Sequence, residues 1–349
     1  MQGELGTFPS KIRNVDELDE VLTRPDASLI EFIRTLPSPL VVLGAAGKMG
    51  PSLCLLAKRA SELAGSALEV VAVSRYRDRA IRDWLGSSGI KTVPADLFKR
   101  DEVAMLPDAE NVVFLVGQKF GTRENPEQTW ATNTLVPAWI CERYAKSKIV
   151  ALSTGNVYPM MTKASGGSVE SDAPAPLGEY ANACLARERL FEYFSNVNQT
   201  PLALIRLNYA IELRYGVLVD ISTKVWRREA IDLSVGWLNC IWQRDANDMI
   251  LRALGLVSNP PGFLNLTGPD ILSVRQVAEE IGRCMDRPPV FSGTESETAL
   301  LSNPSKICAA LGAPPTPISQ AIRWTSDWIK NGQPTSMKPT HFEVRDGKY

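Results

Sequence analysis

Three glycines, Gly44, Gly47 and Gly50, stand where an apolar run, PLVVL, gives way to the amphipathic stretch PSLCLLAKRASEL. The spacing is GxxGxxG and not GxGxxG, yet each glycine has a mechanical use. The first permits a sharp turn after a strand, the second lets backbone approach a pyrophosphate, and the third lets a helix pack closely on a sheet. The helix N-terminus then offers free N–H groups and a partial positive charge to an anion. With Ala46, Lys48 and Met49 between them, these residues form a candidate dinucleotide-binding turn. The next apolar run, VVAVSRYRDR, ends in Ser74 and Arg75, where an acid would hydrogen-bond the ribose of NAD. Arg75 suits a 2′-phosphate instead, so NADP is the expected cofactor and NAD the alternative. A solvated basic face of Arg75, Arg77 and Arg79 is the competing reading. Asp96, followed by Leu97, closes a third run and either meets the adenine edge or caps a turn.

The acid–base inventory is narrow. His341 is the only histidine, which excludes a histidine triad and a multi-histidine metal site. Proton transfer must therefore use Tyr, Ser/Thr, Lys, Asp/Glu or Cys. The six cysteines are scattered without CxxC spacing and read as reduced core thiols. Lys+Arg total 38 and Asp+Glu 39, so nothing points to a nucleic-acid surface. No apolar run is long enough for a membrane span, and the polar, acidic N-terminus has no signal-peptide core. The expected location is cytoplasmic.

Positioning these residues requires a layered α/β scaffold. LEVVAVSRY, IKTVPADL, NVVFLVG, KIVALST and PLALIRL continue the strand series begun by PLVVL, with helical stretches between them. Short connections and alternation of type predict a doubly wound parallel sheet, a Rossmann-type α/β fold. The expected boundaries are a helical N-terminal extension over 1–37 and a dinucleotide domain over 38–207. A mainly substrate-binding lobe follows over 208–330, and a polar tail over 331–349.

The order of features resembles the extended short-chain dehydrogenase/reductase family, in its NAD-dependent epimerase/dehydratase group. FLVG, with Val116 and Gly117, is similar to the strand-four motif, and Asn133 sits like the family's structural asparagine. STGNVYP resembles SSxxVYG, YANACLARERL resembles YGxSKxxxERL, and RLNY resembles RxxNVYGP. The resemblance implies a carbohydrate-like substrate and a homodimer built on helices at about 127–146 and 178–195. Trp130, Trp139, Phe191 and Phe194 would serve that interface or the core. It also implies Tyr180 as acid/base and Thr154, or alternatively Ser153, as the hydroxyl partner. Asn156, Asn208 and Arg214 would face substrate.

The resemblance breaks at one position. The family's lysine, one helical turn beyond the tyrosine, is Cys184. A free tyrosine ionises near ~10, and the lysine's charge is what lowers that value. Arg187, about 10 Å further along the helix at 1.5 Å per residue, and Lys163 are candidate replacements. Gly155 and Asn156 replace the Asp and Glu of the 4,6-dehydratases, which disfavours that elimination. Arg214, Lys224, Arg227, Arg228 and Arg244 could bind an anionic sugar or pair internally. These features imply an NAD(P)-dependent oxidoreductase or epimerase acting on a sugar-like or sugar-acid hydroxyl or ketone. The alternatives are a non-catalytic NAD(P)-binding sensor or scaffold, and a lyase using transient oxidation.

Overall fold

The computed structural model describes residues 8–348, so residues 1–7 of the expected extension and Tyr349 lie outside the described residues. Seven parallel strands form the central sheet: β1 (Leu40–Leu43), β2 (Val70–Ser74), β3 (Lys91–Pro94), β4 (Asn111–Phe114), β5 (Lys148–Thr154), β6 (Leu202–Leu207) and β7 (Gly262–Leu266). Their spatial order is β7-β6-β5-β4-β1-β2-β3. This doubly wound order reverses between β1 and β4, and the crevice beyond their C-terminal ends is where such sheets bind ligands.

Strands β1, β2, β4, β5 and β6 are largely buried and read as mostly apolar runs, whereas the edge strand β3 is exposed at Lys91 and Pro94. Alternation sends Leu40, Val42, Val70 and Ala72 to one core and Val41, Leu43, Val71 and Val73 to the other. The first core is covered by α2 (Ala27–Thr35), α3 (Gly50–Ala64) and α4 (Arg79–Ser87). The second is covered by α5 (Arg100–Ala104), α6 (Pro126–Arg143) and α7 (Gly178–Asn198). Helix α6 continues through Pro137.

The smaller lobe packs α8 (Val217–Arg227), α10 (Val274–Met285) and α12 (Ile318–Lys330) around Trp324 and Trp328. The chain does not stay in this lobe after residue 208. Helix α9 (Gln243–Arg252) returns to cover α3, and β7 completes the sheet beside β6. The short run GFLNL pairs with LALIRL because its leucines Leu264 and Leu266 join the core of the first face.

The N-terminal segment is divided between the two lobes. Leu18, Val21 and Leu22 of α1 (Val15–Leu22) are buried in the small lobe, whereas Leu29 and Ile33 of α2 are buried against the sheet. Asp19 pairs with Arg214 at 3.0 Å, and Glu20 with Arg59 of α3 at 2.6 Å. The polar segment after residue 330 also packs down. Phe342 is buried, Thr340 donates to Asp220, and Arg345 donates to the Thr298 carbonyl at 2.6 Å. No helix among the described residues is long and apolar enough to cross a membrane.

Candidate functional site

At the end of β1 the chain turns at Gly44, whose φ of +86° is left-handed territory that favours glycine. A Cβ there would lie 3.1 Å from the Val116 side chain. At Gly50 a Cβ would lie 2.4 Å from the Ala45 carbonyl, so α3 can start this close to the strand only as glycine. Helix α3 has Pro51 in its first turn and no side-chain cap, which leaves its positive end for a ligand.

This turn opens onto a cavity of about 920 Å³ lined by Gly44, Ala46, Gly47, Ser74, Arg75, Asp96, Leu97, Val116 and Gly117. Arg75 is exposed there, and among the described residues no ion pair engages it. Asp96 borders the same space while its carboxylate accepts from the Phe98 amide at 3.1 Å, so the cap and the ligand-facing position coincide. A second cavity of about 410 Å³ shares Gly44, Gly47 and Gly117 with the first. It reaches Lys48, Met49, Gly50, Ser153, Thr154, Asn156, Tyr180 and Asn208. The two spaces together form one cleft from β3 to the small lobe. A dinucleotide fits this cleft because Gly44 and Gly47, which carry no side chain, lie where its two parts meet.

The hydroxyls are sorted by their partners. Tyr180 shares hydrogen bonds with Thr154 and Cys184. Thr154 also donates to Asn156 Oδ1 at 3.0 Å. The neighbouring Ser153 instead donates to Glu188, which is held by Arg206 at 2.8 Å with both side chains buried. Period-two alternation on β5 explains the split, because residues 153 and 154 face opposite sides of the strand. Burial pushes the Tyr180 phenol above its usual range and the Cys184 thiol adds to this. Arg187 and the Thr154 hydrogen bond oppose them. Burial also raises Cys184, so the thiol is neutral.

Other expected residues are placed elsewhere. Asn133 is buried, donates to the Thr129 carbonyl at 2.8 Å and accepts from Arg187 at 3.0 Å, so it shapes the loop after β4. Asn208 donates to Asn239 at 2.9 Å across the lobe junction. Arg214 is occupied by Asp19 and Glu212, Lys224 by Glu343, and Arg244 by Asp26, Asp245 and Asp248. The cations of 208–245 therefore mostly serve internal pairing, which is the plain alternative for them. Lys163 lies on the Trp237 ring at 4.1 Å. Arg187 does reach Cys184, its guanidinium standing 3.4 Å from Sγ. Trp130 is exposed on α6, whereas Phe191 is in the core against Phe114 at 5.2 Å.

Sequence reasoning missed Lys119. This residue, just beyond the end of β4, lines the cavity with Thr154 and Tyr180. The signal was its place in FLVGQKFG, since residues past the C-terminal end of a strand face the crevice. Burial lowers its amino group to about 8, opposed by Cys184 and Asp220.

Residues 40–210 match the sequence profile of the NAD dependent epimerase/dehydratase family. No curated protein sequence matches the chain. Among solved structures, the UDP-glucuronic acid 4-epimerase of Bacillus cereus in complex with UDP-glucuronic acid and NAD is 19% identical. It is similar over 84% of this chain and 99% of its own, with a TM-score of 0.69. The Thermus thermophilus UDP-glucose 4-epimerase complex with NAD is 18% identical over 83% and 98%, with a TM-score of 0.67. An epimerase of Methanothermobacter thermautotrophicus is 16% identical over 88% and 96%, with a TM-score of 0.71.

Proposed function

Residues 40–210 make this chain a member of the NAD-dependent epimerase/dehydratase family, and from that premise we propose an NAD(P)-dependent oxidoreductase or epimerase of a sugar or sugar-acid hydroxyl. The observation that carries the proposal is the Tyr180–Thr154 hydroxyl pair lining the smaller chamber, which adjoins the dinucleotide cavity at Gly44, Gly47 and Gly117. The bound nicotinamide would supply hydride acceptance and return. Gly44, Gly47 and Gly50 would hold its pyrophosphate, and Arg75 a 2′-phosphate, which favours NADP over NAD. Tyr180 takes the proton from the substrate hydroxyl as that carbon becomes a ketone, and gives it back on reduction. Thr154 orients the reacting oxygen. Return of hydride to the opposite face of the ketone would give an epimer.

The nucleotide sugars named with the similar structures support this substrate class. Gly155 and Asn156 beside Thr154 leave no carboxyl pair there for water elimination. A homodimer through α6 and α7 is part of the proposal, resting on exposed Trp130, Leu135, Tyr193 and Val197. Light scattering that returns the monomer mass would remove it.

The neutral Cys184 favours a second reading, a dinucleotide-binding protein without turnover. Two measurements decide between them. Calorimetry should show NADP binding more tightly than NAD. Turnover on a panel of nucleotide sugars and sugar acids should then vanish in Tyr180→Phe. Binding without turnover on that panel would favour the second reading, and turnover surviving the substitution would displace Tyr180.

A further inference from the structure

The chamber that holds Thr154 and Tyr180 is lined by charge of one sign. Lys48 from the glycine turn and Lys119 from the loop after β4 both border it, and among the described residues no Asp or Glu does. Gly216 and Val217, the cap and first residue of α8, border the same space. No side chain caps that helix, so its leading N–H groups and the positive end of its dipole are left to the chamber. Lys48 belongs to the glycine turn by its backbone, yet its side chain crosses to the small lobe. Its Nζ stands 3.1 Å from the centroid of the Tyr215 ring and 3.4 Å from the Ala210 carbonyl. That carbonyl contact is long for an ammonium group, whose charge-assisted hydrogen bonds are shorter. Lys119 is close enough to repel it. The acids behind the chamber walls have other partners, Glu212 in Arg214 at 3.0 Å and Asp220 in the Thr340 amide at 2.8 Å.

We propose that this chamber takes an anionic substrate, whose carboxylate or phosphate lies among Lys48, Lys119 and the start of α8 while its hydroxyl reaches Tyr180 and Thr154. A cleft lined by one sign of charge concentrates ligands of the other sign, and an oxyanion gives both ammonium groups and the helix end the partner that the lining lacks. The cations expected from sequence to hold such a group, Arg214, Lys224 and Arg244, are paired internally, so the task passes to two lysines outside that region. The titratable groups around the pair are Glu212 and Asp220 in the small lobe, Cys184 on α7, and His341, which lies beside Phe120. The two carboxylates do not make up the deficit, since burial still lowers Lys48 to about 7 and Lys119 to about 8. Both charges are therefore present at lower pH and fade as pH rises through those values, and affinity for an anion fades with them.

The inference rests on the dinucleotide and Tyr180 reading and narrows its substrate from sugars in general to those with an acid group. Wild-type protein, Lys48→Met, Lys119→Met and Lys48→Arg are each saturated with NADP and titrated with glucuronate, glucose 1-phosphate and glucose. Saturation-transfer NMR reads the binding. Wild type should hold at least one of the two anions about tenfold or more tighter than glucose, and the tighter one identifies the group. Each Met variant should lose most of that preference, whereas Lys48→Arg should keep it. For glucuronate, ionised throughout, the preference should also fall between about pH 6 and pH 9. Equal affinity of wild type for acid and neutral sugars overturns the proposal, as does failure of both anions to bind. A preference that survives in both Met variants overturns it too, and if Lys48→Met then loses only NADP affinity, Lys48 serves the cofactor. Absence of NADP binding by the wild type overturns the function proposed above instead. Should circular dichroism show a Met variant unfolded, the corresponding Gln variant takes its place.

Discussion

Ser153 and Thr154 are adjacent hydroxyls, and the difference between them lies in what each one meets. Ser153 ends on a buried Glu188–Arg206 pair that Tyr158 completes, its hydroxyl accepting from Arg206 at 2.7 Å. Glu188 is one turn beyond Cys184 on the helix that carries Tyr180, so this pair fixes the rotation of α7 about its axis. Arg206→Met should cost roughly 3–5 kcal/mol, because it strands the Glu188 charge in the core. Denaturant melts of that variant and of the double variant with Glu188→Gln check this, the double variant recovering most of the loss. Thr154, Tyr180 and Cys184 were legible through the resemblance of STGNVYP and YANACLARERL to the family's motifs. The sequence placed Lys119 just past the end of a strand but could not bring it near Cys184, because that coincidence exists only after folding.

Strands β1, β2 and β4 to β6 were readable as mostly apolar runs because they are largely buried, and the exposed edge strand β3 by its place in the alternation of strands and helices. The seventh was not. GFLNL follows about 55 residues of mixed structure after β6, and its partner is set by sheet closure, not by local pattern. The same closure returns α9 to α3, so the expected boundary at residue 208 separates sequence better than it separates space. The glycine turn shows the opposite case, a local feature whose geometry is demanded locally. Gly50→Ala forces its methyl onto the Ala45 carbonyl and must displace either the strand end or the helix start. The expected result is a loss of ~1–3 kcal/mol of stability and at least about tenfold in NADP affinity. Thermal melts and calorimetry on one preparation measure both, and unchanged affinity would free this glycine from any role at the phosphates.

Across the whole molecule, the N-terminal helices bind the two lobes together. Helix α1 is anchored in the small lobe and α2 on the sheet, with Arg214 and Arg59 gripping Asp19 and Glu20 of α1. The smaller chamber of the proposed cofactor cleft lies between these same lobes, so its width depends on residues with no contact to it. Leu22, fully buried in α1, should cost about 2–4 kcal/mol on replacement by alanine. Urea denaturation checks the value. NADP should stabilise both proteins by mass action, and the loss should grow in its presence where the replacement also weakens NADP binding. A loss below about 1 kcal/mol would show that α1 sits on the lobe without supporting it.

That divided anchorage also sets an order of assembly. Helix α1 precedes the other described elements along the chain, yet the small-lobe residues that bury Leu18, Val21 and Leu22 run from Ile211 to Phe342. Its apolar face therefore waits for residues made long after it, and docks late. During that interval the growing chain carries an unsatisfied hydrophobic helix, which is the species a chaperone would meet.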